Sequence, residues 1–130
     1  MPGTSPELEI VTGAVVTDAR RPFGQAGEER AAAYLESLGY RLIARNLRNA
    51  YGEVDLIMKD GDEHVFVEVK ARHTQRQGHP SSAVTLRKLQ HIQHAAESYL
   101  TEHAITGPWR IDVVAIVPDK LEHFKNVTLA

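Results

Sequence analysis

Asp55, Glu68 and Lys70 are charged residues embedded in two runs of side chains that favour burial, Gly52-Glu53-Val54-Asp55-Leu56-Ile57 and Phe66-Val67-Glu68-Val69-Lys70. A purely structural sheet would place apolar or neutral side chains at such positions. Paired across a hairpin, Asp55 and Glu68 would have their Cβ atoms about 5 Å apart. Carboxylates that close repel each other, and one is forced to keep its proton unless a cation lies between them. A hard divalent ion such as Mg²⁺ suits this arrangement, because it takes one or two carboxylates together with waters and substrate phosphate oxygens. The bound ion would acidify a water and stabilise charge on a phosphoryl oxygen. Lys70, two residues after Glu68 and on the same face of the strand, could orient that water and neutralise the transition state. The implied chemistry is metal-assisted hydrolysis of a phosphodiester.

The elements that must position these groups can be read along the chain. Glu53–Lys59 and His64–Arg72 are rich in Val, Ile and Phe and flank Asp60-Gly61-Asp62-Glu63, a strong turn signal, so they predict a hairpin. With that turn Lys59 pairs with His64, Ile57 with Phe66, Asp55 with Glu68 and Glu53 with Lys70. A tighter turn would shift the pairing by two residues and leave the faces unchanged. Upstream, Ala32, Leu35 and Leu38 recur at helical spacing from Gln25, with Gly39 as the stop. Glu28 falls on the same stripe and points toward whatever the helix covers. Tyr40–Asn46 reads as a first strand, and a loop with Arg48, Asn49 and Gly52 follows. Downstream, Gln75–Ser82 reads as a loop. Thr85 can cap a helix carrying Leu86, Leu89, Ile92, Ala96, Tyr99 and Leu100 on one side, and Trp109–Val117 reads as a central strand covered on both faces. The order is helix, three strands, helix, strand, which predicts an α/β fold with a central mixed sheet flanked by helices.

A chain of 130 residues with 42% hydrophobic content suits one domain, expected over residues 24–130. Pro2, Gly3, Ser5, Pro6, Gly13 and Pro22 mark residues 1–23 as an extension outside the core, with strand character only over Leu8–Val16. The absence of cysteine excludes disulfides, thiolate metal sites and cysteine nucleophiles. No apolar run approaches the roughly 18 residues of a spanning helix, and the expectation is a soluble cytoplasmic protein without a membrane partner. A net charge of -2 does not announce a nucleic-acid binder, although it averages over faces.

Each feature also has an ordinary explanation. Exposed hairpin faces carry cross-strand ion pairs, and the apolar setting of Glu68 weighs against that reading here. Glu53 could pair with Lys70 or Arg72 as a support residue. Glu28 alone could be a first-turn acid stabilising the helix dipole. Arg45, Arg48, Arg72, Arg76, Arg87 and Lys88 adjoin the predicted site and could track phosphates or simply be solvated. His91 and His94 share a helix face, but zinc would need a third ligand, so they read as surface histidines. His73 and His79 flank a loop, and Arg110 with Asp112 reads as a structural pair or a cleft wall.

Asp55 followed by Glu68-Val69-Lys70 after a hairpin, with Glu28 on the preceding helix, resembles the PD-(D/E)XK nuclease superfamily, whose restriction-endonuclease-like core runs αβββαβ. Gly27-Glu28, Tyr34-Leu35, Gly39-Tyr40, Arg45-Asn46, the Gly52–Ile57 and Phe66–Arg72 runs, Gly78, Lys88 and Arg110–Val114 are similar to the YraN family of bacterial proteins, itself endonuclease-like and similar to Holliday junction resolvases. Val54 stands where the superfamily's proline would be. The resemblance implies a metal, Mg²⁺ or Mn²⁺, at Asp55, Glu68 and Val69, with Lys70 as the catalytic lysine, Glu28 completing the catalytic set, and Glu53 and Arg72 in support. It further implies DNA as the partner, contacted by Arg45, Arg48, Arg76 and Lys88, and hydrolysis of branched, flapped or single-stranded DNA in repair or recombination. The rival readings are a nucleic-acid-binding adaptor that keeps the fold without turnover, and a protein-interaction scaffold whose acidic cleft holds a structural cation. The helix from Thr85 to His103 could also serve a homodimer, or it could simply pack on the sheet.

Overall fold

Alternating Val, Ile, Leu and Phe in the strands and two apolar helix stripes assemble into three layers. The computed structural model describes residues 22–71 and 84–128. Arg72, Arg76, the Gln75–Ser82 loop and the extension as far as residue 21 lie outside the described residues. The elements are α1 (Pro22–Ser37), β1 (Arg41–Asn49), β2 (Gly52–Asp60), β3 (Glu63–Ala71), α2 (Leu86–Glu102), β4 (Trp109–Val117) and β5 (Lys120–Phe124). One five-stranded sheet runs in the order β1-β2-β3-β4-β5. The β1–β2, β2–β3 and β4–β5 pairs are antiparallel, and β3–β4 is parallel. The parallel pair requires a crossover, which α2 supplies. The expected αβββαβ order is present, with β5 added at the edge.

Each helix covers one face of the sheet. Ala31, Ala32 and Leu35 of α1 pack on Leu56, Met58, Val65, Val67, Val114 and Ile116. Leu89, Ile92, Ala95, Ala96 and Leu100 of α2 pack on Val54, Ile57, Phe66 and Ile111. Phe66 anchors that second layer, its ring edge-on to Tyr99 at 5.9 Å and Trp109 at 5.8 Å. Both layers are built from buried residues, which gives the sheet the two-sided burial that its continuous apolar runs foretell. The Thr85 cap is present, its Oγ1 accepting from the Lys88 N–H at 3.1 Å.

The hairpin register agrees with the expectation at Lys59↔His64 and Ile57↔Phe66. Asp60 and Glu63 also pair, which narrows the connection to Gly61-Asp62, with Gly61 at the positive φ such a turn demands. Beyond Leu56↔Val67 the β2–β3 ladder stops, so the expected Asp55–Glu68 and Glu53–Lys70 backbone pairs are not made. Two expected core positions are corrected as well. Leu38 lies past the end of α1 and Leu86 is the first residue of α2, and both are exposed because neither is inside its helix's packed turns. β1 runs on to Asn49, three residues past the expected Asn46, because Leu47, Arg48 and Asn49 continue the ladder with Val54, Glu53 and Gly52.

At the hairpin-turn end, on the α1 face, Arg110 is buried among acceptors. Its Nε donates to Asp112 Oδ1 at 2.9 Å, its Nη1 to Glu63 Oε1 at 2.7 Å and Asp60 Oδ2 at 3.2 Å, and its Nη2 to the Tyr40 hydroxyl at 2.8 Å. Asp112, with no accessible surface, also accepts from His123 Nε2 at 2.7 Å and the Asn126 N–H at 3.0 Å. Arg110 and Asp112 therefore lock the β2–β3 turn, β4 and β5 together, and the cleft-wall alternative for this pair falls away.

Candidate active site

The early end of the β2–β3 ladder creates the site. Where the strands diverge, Asp55 replaces a backbone partner, and its Oδ2 accepts from the Val69 N–H at 2.7 Å. Strand alternation keeps Glu68 on the face of Phe66, toward α2, while Val69 packs with the α1 layer. The first turns of α2 close over this gap. Gly52, Glu53, Asp55, Glu68, Val69, Lys70, Lys88 and His91 line a polar cavity of about 350 Å³. Gly52 permits the closure, since a Cβ there would meet the His91 Cβ at 3.3 Å, and its φ of +153° lies outside the range usual for other residues.

Charge is crowded in this cavity. Glu68 is only 3% exposed, and its Oε2 lies 3.4 Å from Lys88 Nζ. Burial first, then the Asp55 charge, push its carboxyl up to about 8, against the pull of Lys88 and Lys70. Burial also raises Asp55 above the ordinary carboxylate range, although the Val69 N–H, Lys88 and a hydrogen bond with Glu68 favour its anion. The two acids are thus held against each other in a desolvated site, with two ammonium groups as the neighbouring cations.

The structure brings Asp55, Glu68, Val69, Lys70 and Lys88 together, and Glu53 stands at the rim. Glu53 faces Arg48 of β1, Nε to Oε1 at 3.9 Å, and not Lys70, because β2 continues its pairing with β1 where it leaves β3. Arg45 pairs with Leu56, a residue of the α1 layer, and so shares the face opposite the cavity. Glu28 is buried on α1 and is not among the cavity walls. Its neighbour Gly27 lies against Ala71 and Val69, which brings this part of α1 to the end of β3 that carries the site, on the other face of the sheet. His91, read from sequence as a surface residue, is a cavity wall. The available signal was its position three residues after Lys88, on the same helix face.

The arrangement gathers oxygen donors around one cavity. Two carboxyls and the Val69 carbonyl are the hard oxygen donors that Mg²⁺ or Mn²⁺ takes alongside waters and substrate oxygens. Among the described residues no group of three or more His, Cys, Asp or Glu is placed to hold a metal ion, so Asp55 and Glu68 offer two carboxylates and no third such side chain. No helix among the described residues is long and apolar enough to cross a membrane.

This α/β fold, with its acidic cavity between a hairpin and a crossover helix, corresponds to a known group of sequences. Residues 27–116 match the family described as uncharacterised protein family UPF0102, and the chain belongs to that family, which is the YraN family of the resemblance. A UPF0102 protein of Chloroflexus aurantiacus is 48% identical over 99 residues, covering 75% of this chain and 80% of the relative. One from Shewanella amazonensis is 45% identical over 103 residues, 79% of this chain and 95% of the relative. One from Pelotomaculum thermopropionicum is 42% identical over 118 residues, 85% and 98% of the two chains.

Proposed function

We propose that this protein is a Mg²⁺- or Mn²⁺-dependent nuclease of the restriction-endonuclease-like, PD-(D/E)XK type. Its substrate in this reading is branched, flapped or single-stranded DNA undergoing repair or recombination. The observation that carries the reading is the buried Asp55–Glu68 pair, whose carboxyls are both raised in pKa inside a polar cavity walled by Lys70 and Lys88. Such crowding weakens a fold and is characteristic of sites that bind or catalyse.

Asp55, Glu68 and the Val69 carbonyl would hold the cation. When bound, it supplies an acidified water and polarises the phosphate. The Val69 N–H anchors one Asp55 oxygen, which fixes the carboxylate's direction. Lys70, whose charge acts on Glu68, is suited to orient the attacking water and to neutralise charge growing on the phosphoryl oxygens. Lys88 reaches the same carboxyl from α2, so it can balance the acids or turn to a substrate phosphate. Glu28 and Glu53 are supporting acids in this scheme.

The test is a cleavage assay with labelled duplex, single-stranded, flapped and four-way-junction DNA in Mg²⁺ or Mn²⁺, using the native chain and Glu68→Ala. Cleavage by the native protein that falls roughly a thousandfold in the variant supports the reading. Binding without cleavage by both proteins would replace it with the adaptor reading.

A further inference from the structure

A second hollow, of about 560 Å³, adjoins the acidic cavity and is lined by Tyr51, His94, Glu97, Ser98, Thr101 and Glu102. Tyr51 immediately precedes Gly52, a wall of the acidic cavity, and His94 lies one turn of α2 beyond His91, another of its walls. The two spaces therefore follow one another along α2, about 5 Å of helix apart. Tyr51 is 55% exposed, and its ring stands edge-on to His94, with centroids 6.2 Å apart and planes at 71°. Its place is set by Asn49, whose Oδ1 accepts from the Tyr51 N–H at 3.0 Å while its Nδ2 donates to the Ala95 carbonyl at 3.2 Å. A large aromatic ring is thus held in water by a brace between the β1–β2 turn and α2, beside the candidate active site.

We propose that Tyr51 is a stacking platform for an unpaired nucleobase next to the scissile phosphate. The choice of a nucleic-acid strand as ligand rests on the nuclease reading, whereas the geometry of the platform is independent of it. A base offers a flat π-face to the ring, and stacking of this kind serves single strands of any sequence. The polar groups agree with a base and not with a phosphate: Glu97 and Glu102 repel the backbone and accept from exocyclic amino groups, and Ser98 and Thr101 can donate or accept at a base edge. The strand's phosphates would run instead past Lys88 and Arg48, the cations flanking the acidic cavity. A paired base in a continuous duplex cannot present its face to Tyr51, so the platform selects frayed, flapped or single-stranded positions.

The test is fluorescence anisotropy with a short labelled single strand and a matching duplex closed by a loop at each end, in Ca²⁺ to retain the acidic site without turnover, using native protein, Tyr51→Ala and Tyr51→Phe. Tyr51→Ala is expected to weaken single-strand binding roughly tenfold, to leave duplex binding within about twofold, and to be rescued by Tyr51→Phe. In Tyr51→Trp the added exposed emission is expected to be quenched by the single strand and not by the duplex, which keeps the test valid should the alanine variant fold poorly. Unchanged single-strand affinity in Tyr51→Ala, equal losses in Ala and Phe variants, or no single-strand binding by the native protein would each overturn the platform. DNA cleavage that survives such a result leaves the nuclease reading standing. Tyr51-dependent binding without cleavage on any substrate would instead remove the nuclease reading and retain the platform.

Discussion

Arg110 and Asp112 at the hairpin-turn end, and Asp55 and Glu68 at the opposite end of the same hairpin, are two ways of burying charge in one sheet. Around Arg110 every charge is answered. Burial would raise the Asp112 carboxyl, yet hydrogen bonds from His123, Arg110 and the Asn126 N–H hold it below the ordinary range. Burial would likewise ease the proton off Arg110, and the hydrogen bonds to Asp112, Glu63 and Asp60 more than reverse this. Around Glu68 the balance is opposite, since two acids share one desolvated cavity and both are raised, despite Lys88 and Lys70. A closed network serves the fold. In the proposed function, an acid pair left short of positive charge serves a ligand that brings it.

Breaking each end should therefore have opposite consequences. At the structural end, Asp112→Ala leaves Arg110 without its main partner in a buried site and is expected to cost about 4 kcal/mol in urea unfolding. Because the folded Asp112 pKa is depressed, that stabilisation is present above the unfolded pKa near 4 and is lost as pH falls through the lower folded value. At the functional end, Glu68→Gln should make the metal-free protein more stable at pH 8, by about 2 kcal/mol. The sign follows from a raised pKa: the native Glu68 contributes most below its unfolded pKa of about 4.5, and stability declines as pH rises from there toward 8. The difference between native and Glu68→Gln unfolding curves should consequently vanish near pH 4. Gly52→Ala sharpens the contrast in a smaller way. Its Cβ would press on His91, and φ would be strained, so a loss of about 1–2 kcal/mol is expected, with a displaced α2 at the site. Thr85→Ala removes the α2 cap and should cost about 1 kcal/mol by thermal unfolding.

The hairpin was legible in sequence because Asp60-Gly61-Asp62-Glu63 sets its turn and register, and with it the face shared by Phe66 and Glu68. The helix stripes were legible for the same reason of period, as were Asp55, Glu68 and Lys70 as a set. What pattern could not convey is where a ladder ends. The divergence after Leu56↔Val67 depends on the Asp55 carboxylate taking the Val69 N–H, a tertiary choice, and it turns Glu53 toward Arg48. β5 escaped notice because Lys120-Leu121-Glu122-His123-Phe124 is a short, charged edge strand without a burial signal. His91 reads with His94 as a surface pair and Lys88 only as adjoining the site, and it is the crossing of α2 over Gly52 that brings both His91 and Lys88 to the acids. Arg45 lies on the face opposite the cavity, and proximity in sequence does not reveal which face of a twisted strand a residue occupies.

The central claim is that Asp55 and Glu68 form a cation site. Calorimetric titration of Mn²⁺ into the native protein and into Glu68→Gln at pH 8 tests it most directly. The account predicts a saturable Mn²⁺ site in the native protein that tightens when single-stranded DNA is present and disappears in the variant. Equal Mn²⁺ binding by both proteins, or none by either with DNA present, would contradict it.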